Sequence, residues 1–272
     1  VKIKRAKYRL RRSLAIRGIA GTARVALART PGWLRGFASR RRSAGPPKAY
    51  EELHPFDRQF GVETSGHLQS EDLESGHRSD LFNAGYFATP PSAFHQIIAR
   101  LGIDWSRFTF LDLGSGKGRM LLLAAGYPFR EIIGVELSPR LHRSACANIL
   151  HYPLGGRKPE SVRSFEGDAA EFPMPSGPLL IYMWNAFEGP VFSRVLRNVE
   201  ASLEKEPREM YVLYAQPDLE EVLEASPFFD RLWKEDFQIS DDDYRAYAFP
   251  LPTMPCVAYR ARVPAGDTTQ AN

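Results

Sequence analysis

Cysteine is nearly absent: Cys146 and Cys256 are the two in 272 residues, too few and too far apart for a disulfide framework or a zinc knuckle. That scarcity fits a reducing compartment. No apolar run approaches the about 18 residues of a spanning helix, the longest candidates being 120–129 and 179–184. The chain therefore reads as cytoplasmic, with peripheral attachment to a membrane left open. The six histidines (His54, His67, His77, His95, His142 and His151) show neither HExxH nor HxH spacing, and no metal is assigned. Acidic side chains are missing altogether from residues 1–50, which hold 15 of the 36 Lys and Arg, leaving 21 basic against 32 acidic side chains in the other 222 residues, a balance of −11. A basic arm precedes an acidic body.

What is present suffices for a large core, since 43% of the residues are hydrophobic and 25% charged. In the arm, Ile16, Ile19, Ala20, Ala23 and Leu27 recur at helical spacing between basic clusters, which predicts a short basic amphipathic helix within 14–27. Anionic lipid, the phosphates of RNA or DNA, a cleavable transit peptide and a solubilising tail of no specific use all fit such an arm. SAGPPK at 43–48 reads as a linker, and 49–89, containing FDRQFGVETSG, as an irregular cap or lid segment.

Beyond this segment the patterning becomes regular. Thr89 is expected to cap a helix with Pro90 or Pro91 in its first turn, Phe94, Ile97, Ile98 and Leu101 on one face, and Gly102 at its end. Strands are predicted at 108–113, 132–136, 162–166, 179–184, 210–214, 231–239 and 256–262. Helices are predicted at 119–125, after Ser138-Pro139, from Pro190 through Leu203, and around Leu219, Val222 and Leu223. Strands alternating with helices predict an α/β doubly wound, mostly parallel sheet. The last two strands predict an antiparallel hairpin at one edge. The tail at 264–272 is expected to fray.

The chemistry concentrates in FLDLGSGKGRMLLLAA at 110–125, where an apolar strand ends in Asp112 and glycines follow at 114, 116 and 118. Such a loop lets the backbone approach a ligand at the carboxyl end of a parallel strand. The dinucleotide GxGxxG pattern would need glycine where Arg119 stands, and GxxxxGK[ST] fails at Gly118. A carboxylate at Asp112 would repel a pyrophosphate and attract an ammonium group. Lys117 and Arg119 read as solvated or paired at the loop's edge, and Tyr182 and Trp184 more as core than as a substrate box.

Asp112-Leu113-Gly114-Ser115-Gly116-Lys117-Gly118 resembles the (E/D)xGxGxG motif of the class I, seven-strand, Rossmann-like S-adenosylmethionine-dependent methyltransferases. The resemblance implies that 90–263 is the S-adenosyl-L-methionine-binding domain, following an arm at 1–48 and a cap at 49–89. It places Gly114, Ser115, Gly116 and Gly118 around the methionine part of the cofactor and Asp112 on its amino group. Glu136, ending GVE 24 residues after Asp112, would take the ribose hydroxyls. Asp168 of EGDAAEF would take the adenine amine, with Ala169 offering its N–H. Tyr86 and Thr89 of GYFATPP would lie over the cofactor. Asn185, after LLIYMW, is the candidate catalytic residue beside the transferable methyl group. Asn185-Ala186-Phe187-Glu188 lacks the two prolines of the (D/N/S)PP(Y/F/W) form used on planar nitrogens. The implied activity is transfer of a methyl group to an unidentified acceptor, a protein side chain ahead of a small molecule. The arm at 1–48 is a candidate contact for an anionic membrane or RNA. A non-catalytic cofactor-binding module and an NAD-dependent oxidoreductase are the alternatives.

Overall fold

The computed structural model describes residues 8, 10–15, 18, 19, 22, 53–73, 75–82, 84–247 and 252–262. The expected linker at 43–48, the tail at 264–272 and most of the arm lie outside these residues. Within the arm, residues 10–15 are helical.

Seven strands form one sheet: β1 (Thr109–Leu113), β2 (Glu131–Glu136), β3 (Val162–Glu166), β4 (Leu179–Trp184), β5 (Met210–Ala215), β6 (Phe229–Gln238) and β7 (Thr253–Ala261). Their order is β3-β2-β1-β4-β5-β7-β6. β3, β2, β1, β4 and β5 pair in parallel, and β7 runs antiparallel to both β5 and β6. Continuous apolar runs such as FLDL and LLIYM form these inner strands because both faces of a parallel sheet are covered. The helices are α1 (Pro55–Phe60), α2 (Pro91–Leu101), α3 (Arg119–Ala124), α4 (Pro139–His151), α5 (Gly189–Lys205), α6 (Glu220–Glu224) and α7 (Asp241–Tyr247).

Alternation along β1 divides the core. Phe110 packs with Phe94, Ile97 and Ile98 of α2 and Leu121 and Leu122 of α3 on one face. Leu111 and Leu113 pack with Phe192, Val195 and Val199 of α5 on the other. The doubly wound sheet and its antiparallel edge hairpin are as the sequence predicts. β6 starts two residues earlier than expected, and α7 lies between β6 and β7, where no helix-length pattern is read from the sequence. No described helix is long and apolar enough to cross a membrane.

One local expectation is corrected. The N-cap of α2 is Pro90, which makes no side-chain cap bond, and not Thr89. The Thr89 hydroxyl lies 3.0 Å from the Tyr182 hydroxyl instead, because the pair is buried beside the sheet and each group satisfies the other. Ser138 does cap α4 as expected, accepting from the Leu141 N–H, with Pro139 in the first turn.

Candidate active site

At the carboxyl ends of β1, β2 and β4 lies a cavity of about 540 Å³. It falls where the strand order reverses, with β2 and β3 to one side of β1 and β4 and β5 to the other, the usual ligand position in open α/β sheets. Asp112, Gly114, Ser115, Gly116, Glu136, Asp168, Ala169, Tyr86, Thr89 and Asn185 all line it. Gly118 does not. It is the N-cap of α3 in the left-handed region, and a Cβ there would stand 3.1 Å from the Ala145 Cβ of α4, so it serves the packing of two helices. Gly116 has φ +57, and a Cβ on it would fall 2.3 Å from the Tyr86 ring, which lies against the loop.

Two carboxylates dominate the electrostatics. Asp112 is buried, and among the described residues its carboxylate makes no hydrogen bond or ion pair; burial first, and the neighbouring Glu136 second, push its pKa well above the ordinary carboxylate range. Glu136 is also raised by burial. Its oxygens are partly compensated by N–H donors, Gly116 to Oε2 at 2.8 Å and Ser138 to Oε1 at 2.7 Å. Each Glu136 oxygen keeps a lone pair for a further donor. Asp168 is more heavily engaged, accepting from the Ala170 N–H at 2.9 Å, the Ser79 hydroxyl at 2.8 Å and Arg194 at 3.3 Å.

Asn185 directly follows β4 with φ +38, and Gln216 directly follows the adjacent β5 with φ +46; they are the two non-glycine residues with positive φ among those described. Side chains lock both turns. The Asn185 amide donates to Asp218 at 2.6 Å and accepts from the Tyr214 hydroxyl at 3.2 Å, while the Trp184 indole donates to Gln216 Oε1 at 2.8 Å. Asn185 thus reaches the cavity as expected, with its amide committed to the rim. Tyr182 and Trp184 both pack against the core and line the cavity.

The sequence reading placed Lys117 and Arg119 at the edge of the loop, solvated or paired; both are buried and paired. Asp57 of α1 accepts from the Thr64 and Ser65 N–H groups, each at 2.7 Å, from the Thr64 hydroxyl at 2.5 Å and from Arg119 at 3.3 Å. Arg119 also donates to the Thr64 hydroxyl at 2.5 Å, and Lys117 to Glu63 at 2.7 Å and the Ser65 carbonyl at 2.8 Å. Asn148 of α4 joins the Glu63 and Lys117 backbones, and the Tyr86 hydroxyl donates to the Thr64 carbonyl at 2.6 Å. FDRQFGVETSG is therefore a bracket on the glycine loop. Sequence reasoning also missed Gln216 and Arg12 as lining residues. Gln216 was recoverable from its place just past a predicted parallel strand.

No protein-family model and no curated protein matches the chain. It is similar to several solved structures at low identity. An S-adenosylmethionine-dependent methyltransferase from Mesorhizobium loti is 14% identical, with 62% of this chain and 97% of that one covered and a TM-score of 0.46. The glycopeptide N-methyltransferase MtfA, complexed with S-adenosyl-L-methionine, is 14% identical over 66% of this chain and 96% of that one, with a TM-score of 0.45. The 23S rRNA methyltransferase ErmE is 14% identical over 65% and 70%, with a TM-score of 0.44. The strand order with β7 reversed is the seven-strand, Rossmann-like arrangement that the glycine-loop motif resembles.

Proposed function

We propose that the chain binds S-adenosyl-L-methionine and transfers its methyl group to an acceptor still to be identified, a protein side chain ahead of a small molecule. The observation that carries this reading is the unpartnered Asp112 carboxylate facing a cavity that also holds Glu136. Two buried acids without a cation between them favour a ligand that brings positive charge and hydroxyl donors together. A dinucleotide pyrophosphate would add charge of the wrong sign at Asp112.

In this assignment Asp112 takes the ammonium group, Gly114, Ser115 and Gly116 flank the methionine chain, and Glu136 takes the ribose hydroxyls. Asp168 and Ala169 face the adenine, and Tyr86 and Thr89 cover the site. When bound, the cofactor supplies a methyl carbon activated by a positive sulfur. The chain's own work is alignment and exclusion of water, since an uncharged amine needs no strong base to attack such a carbon. Tyr182, Trp184 and Phe87 offer aromatic faces to a cationic centre, and the locked Asn185 and Gln216 turns hold that side of the cavity in place. Asn185 acts there as a positioning residue.

Calorimetric titration with S-adenosylmethionine, S-adenosylhomocysteine and NAD tests the assignment. Binding of the first two, absent for NAD and lost in Asp112→Ala/Glu136→Ala, is the expected outcome, and a labelled-methyl search for the acceptor then follows. Binding with no transfer to any protein or small amine would favour the cofactor-holding module. Binding of NAD alone would replace the assignment with the oxidoreductase.

A further inference from the structure

Asp168 lines the cavity, yet most of its hydrogen-bonding capacity is committed to groups outside it. Its Oδ1 accepts from the Ala170 N–H at 2.9 Å, and its Oδ2 from the Ser79 hydroxyl at 2.8 Å and from Arg194 at 3.3 Å. Ser79 belongs to the cap, in the short helical turn Arg78–Phe82, and Arg194 to α5; neither is among the residues lining the cavity. Arg194 also donates to the Ser79 oxygen at 3.3 Å. A guanidinium only donates, so the buried Ser79 hydroxyl receives Arg194 on a lone pair and directs its own proton to Asp168. Within the cap, Asp80 accepts from the Ser75 and Gly76 N–H groups at 2.9 and 2.8 Å, which folds 75–80 into the turn that presents Ser79. The carboxylate is thus clamped, with Oδ2 held from outside the cavity and Oδ1 left with one lone pair for a ligand.

We propose that Ser79 and Arg194 are positioning residues that immobilise the Asp168 carboxylate and thereby set the purine preference of the cofactor site, 6-amino over 6-oxo. This rests on the reading that Asp168 and Ala169 face the adenine. The 6-amino group of adenine brings an N–H to the open lone pair of Oδ1, and the ring nitrogen beside it accepts from the Ala169 N–H. A 6-oxo purine reverses both polarities, with an oxygen opposite the carboxylate and an N–H opposite an N–H. A carboxylate free to turn escapes the oxygen and reaches the neighbouring ring N–H; a clamped one does neither, and the mismatch stands as a repulsive element against the wrong base. The clamp acts by geometry more than by charge. Arg194 lies closer to Glu171, at 2.9 Å, than to Asp168, and both it and Glu171 are partly open to water, so its charge is shared and screened. A cap residue that does not line the cavity therefore bears on which nucleoside is held there.

The experiment is calorimetric titration of the full chain with S-adenosylhomocysteine and with S-inosylhomocysteine, its 6-oxo counterpart, for the natural chain and for Ser79→Ala, Arg194→Met and Asp168→Asn, beside thermal melts of each. The natural chain is expected to favour the adenosyl compound about tenfold or more, the effect of one hydrogen bond to a charged group. Ser79→Ala and Arg194→Met are each expected to narrow that ratio about threefold or more, and Asp168→Asn, whose amide can donate to the 6-oxo group, to narrow it furthest. A merely structural role for Ser79 or Arg194 weakens both ligands alike and leaves the ratio unchanged. An unchanged or wider ratio in Ser79→Ala and Arg194→Met, with Asp168→Asn behaving as expected, overturns the positioning role and leaves the cofactor assignment standing. A ratio that Asp168→Asn does not move takes Asp168 away from the purine and overturns the proposal at its base. Binding of neither compound by the natural chain removes the cofactor assignment itself, and the proposal with it.

Discussion

Asp112 illustrates how a single residue is kept at a thermodynamic disadvantage. A carboxyl group whose pKa in the folded chain is raised binds more protons there than in the unfolded chain. Its contribution to stability is full below the unfolded pKa of about 3.9 and is lost as pH rises toward the folded value. Asp112→Asn removes that loss while keeping the shape of the side chain. At neutral pH the variant is expected to melt at a higher temperature than the natural chain. Its affinity for S-adenosylmethionine is expected to fall about 10- to 100-fold, the range of about 1.5–3 kcal/mol for a charge-assisted bond. The natural chain should bind the cofactor more tightly as pH rises and Asp112 ionises, and the Asn variant should lack that component of the pH dependence. Melting curves and calorimetry over one pH series read all three quantities, and a variant that melts lower while binding normally would remove Asp112 from the ligand site.

Between elements, the decisive contact joins α1 and the following turn to the start of α3. Asp57 and Arg119 are both buried, and removing one partner of such a pair costs about 3–5 kcal/mol when the other is left uncompensated. Their situations differ. Without Arg119, Asp57 keeps the Thr64 hydroxyl and two backbone N–H donors. Without Asp57, those three donors lose their acceptor and the buried guanidinium loses its only carboxylate among the described residues, keeping the Thr64 and Ser65 hydroxyls. Asp57→Ala is therefore expected to lower the melting temperature by on the order of 10 °C, and Arg119→Met by clearly less. Both should weaken cofactor binding through the loosened glycine loop. The reverse order in thermal melts would mean that Arg119, and not the acceptor cluster around Asp57, holds the bracket. This contact lies beyond the reach of pattern reading, since its partners are 62 residues apart and nothing in FDRQFGVETSG marks which face it covers. β1, β2, β4 and β5 were legible because their apolar runs and the glycine turn are local properties. Most of the candidate site was legible for the same reason, each acid or Asn standing at or within two residues of the carboxyl end of a strand. Thr89 was misread as a cap because its real partner, Tyr182, is brought to it by the sheet.

Across the whole molecule, charge and closure meet at Arg12. The basic arm is tied to the acidic body by a partly exposed pair, the Arg12 and Glu188 side chains retaining 20% and 35% of their exposure, so the contact is worth about 0.2–1 kcal/mol. That is too little to hold the fold together. It is enough to bias an opening motion, because Arg12 spans from Ser70 in the cap to Glu188 at the N-cap of α5 and forms part of the cavity wall. A contact of this strength changes an opening equilibrium by a few fold and a melting temperature by little. Arg12→Ala is accordingly expected to leave thermal stability nearly unchanged and to speed dissociation of S-adenosylhomocysteine about two- to fivefold in stopped-flow displacement. Higher salt should reproduce part of the acceleration in the natural chain, since the pair is accessible to ions, and little of it in the variant. An unchanged dissociation rate would mean that the arm passes the cavity without closing it, and the product would then leave by a route that Arg12 does not guard.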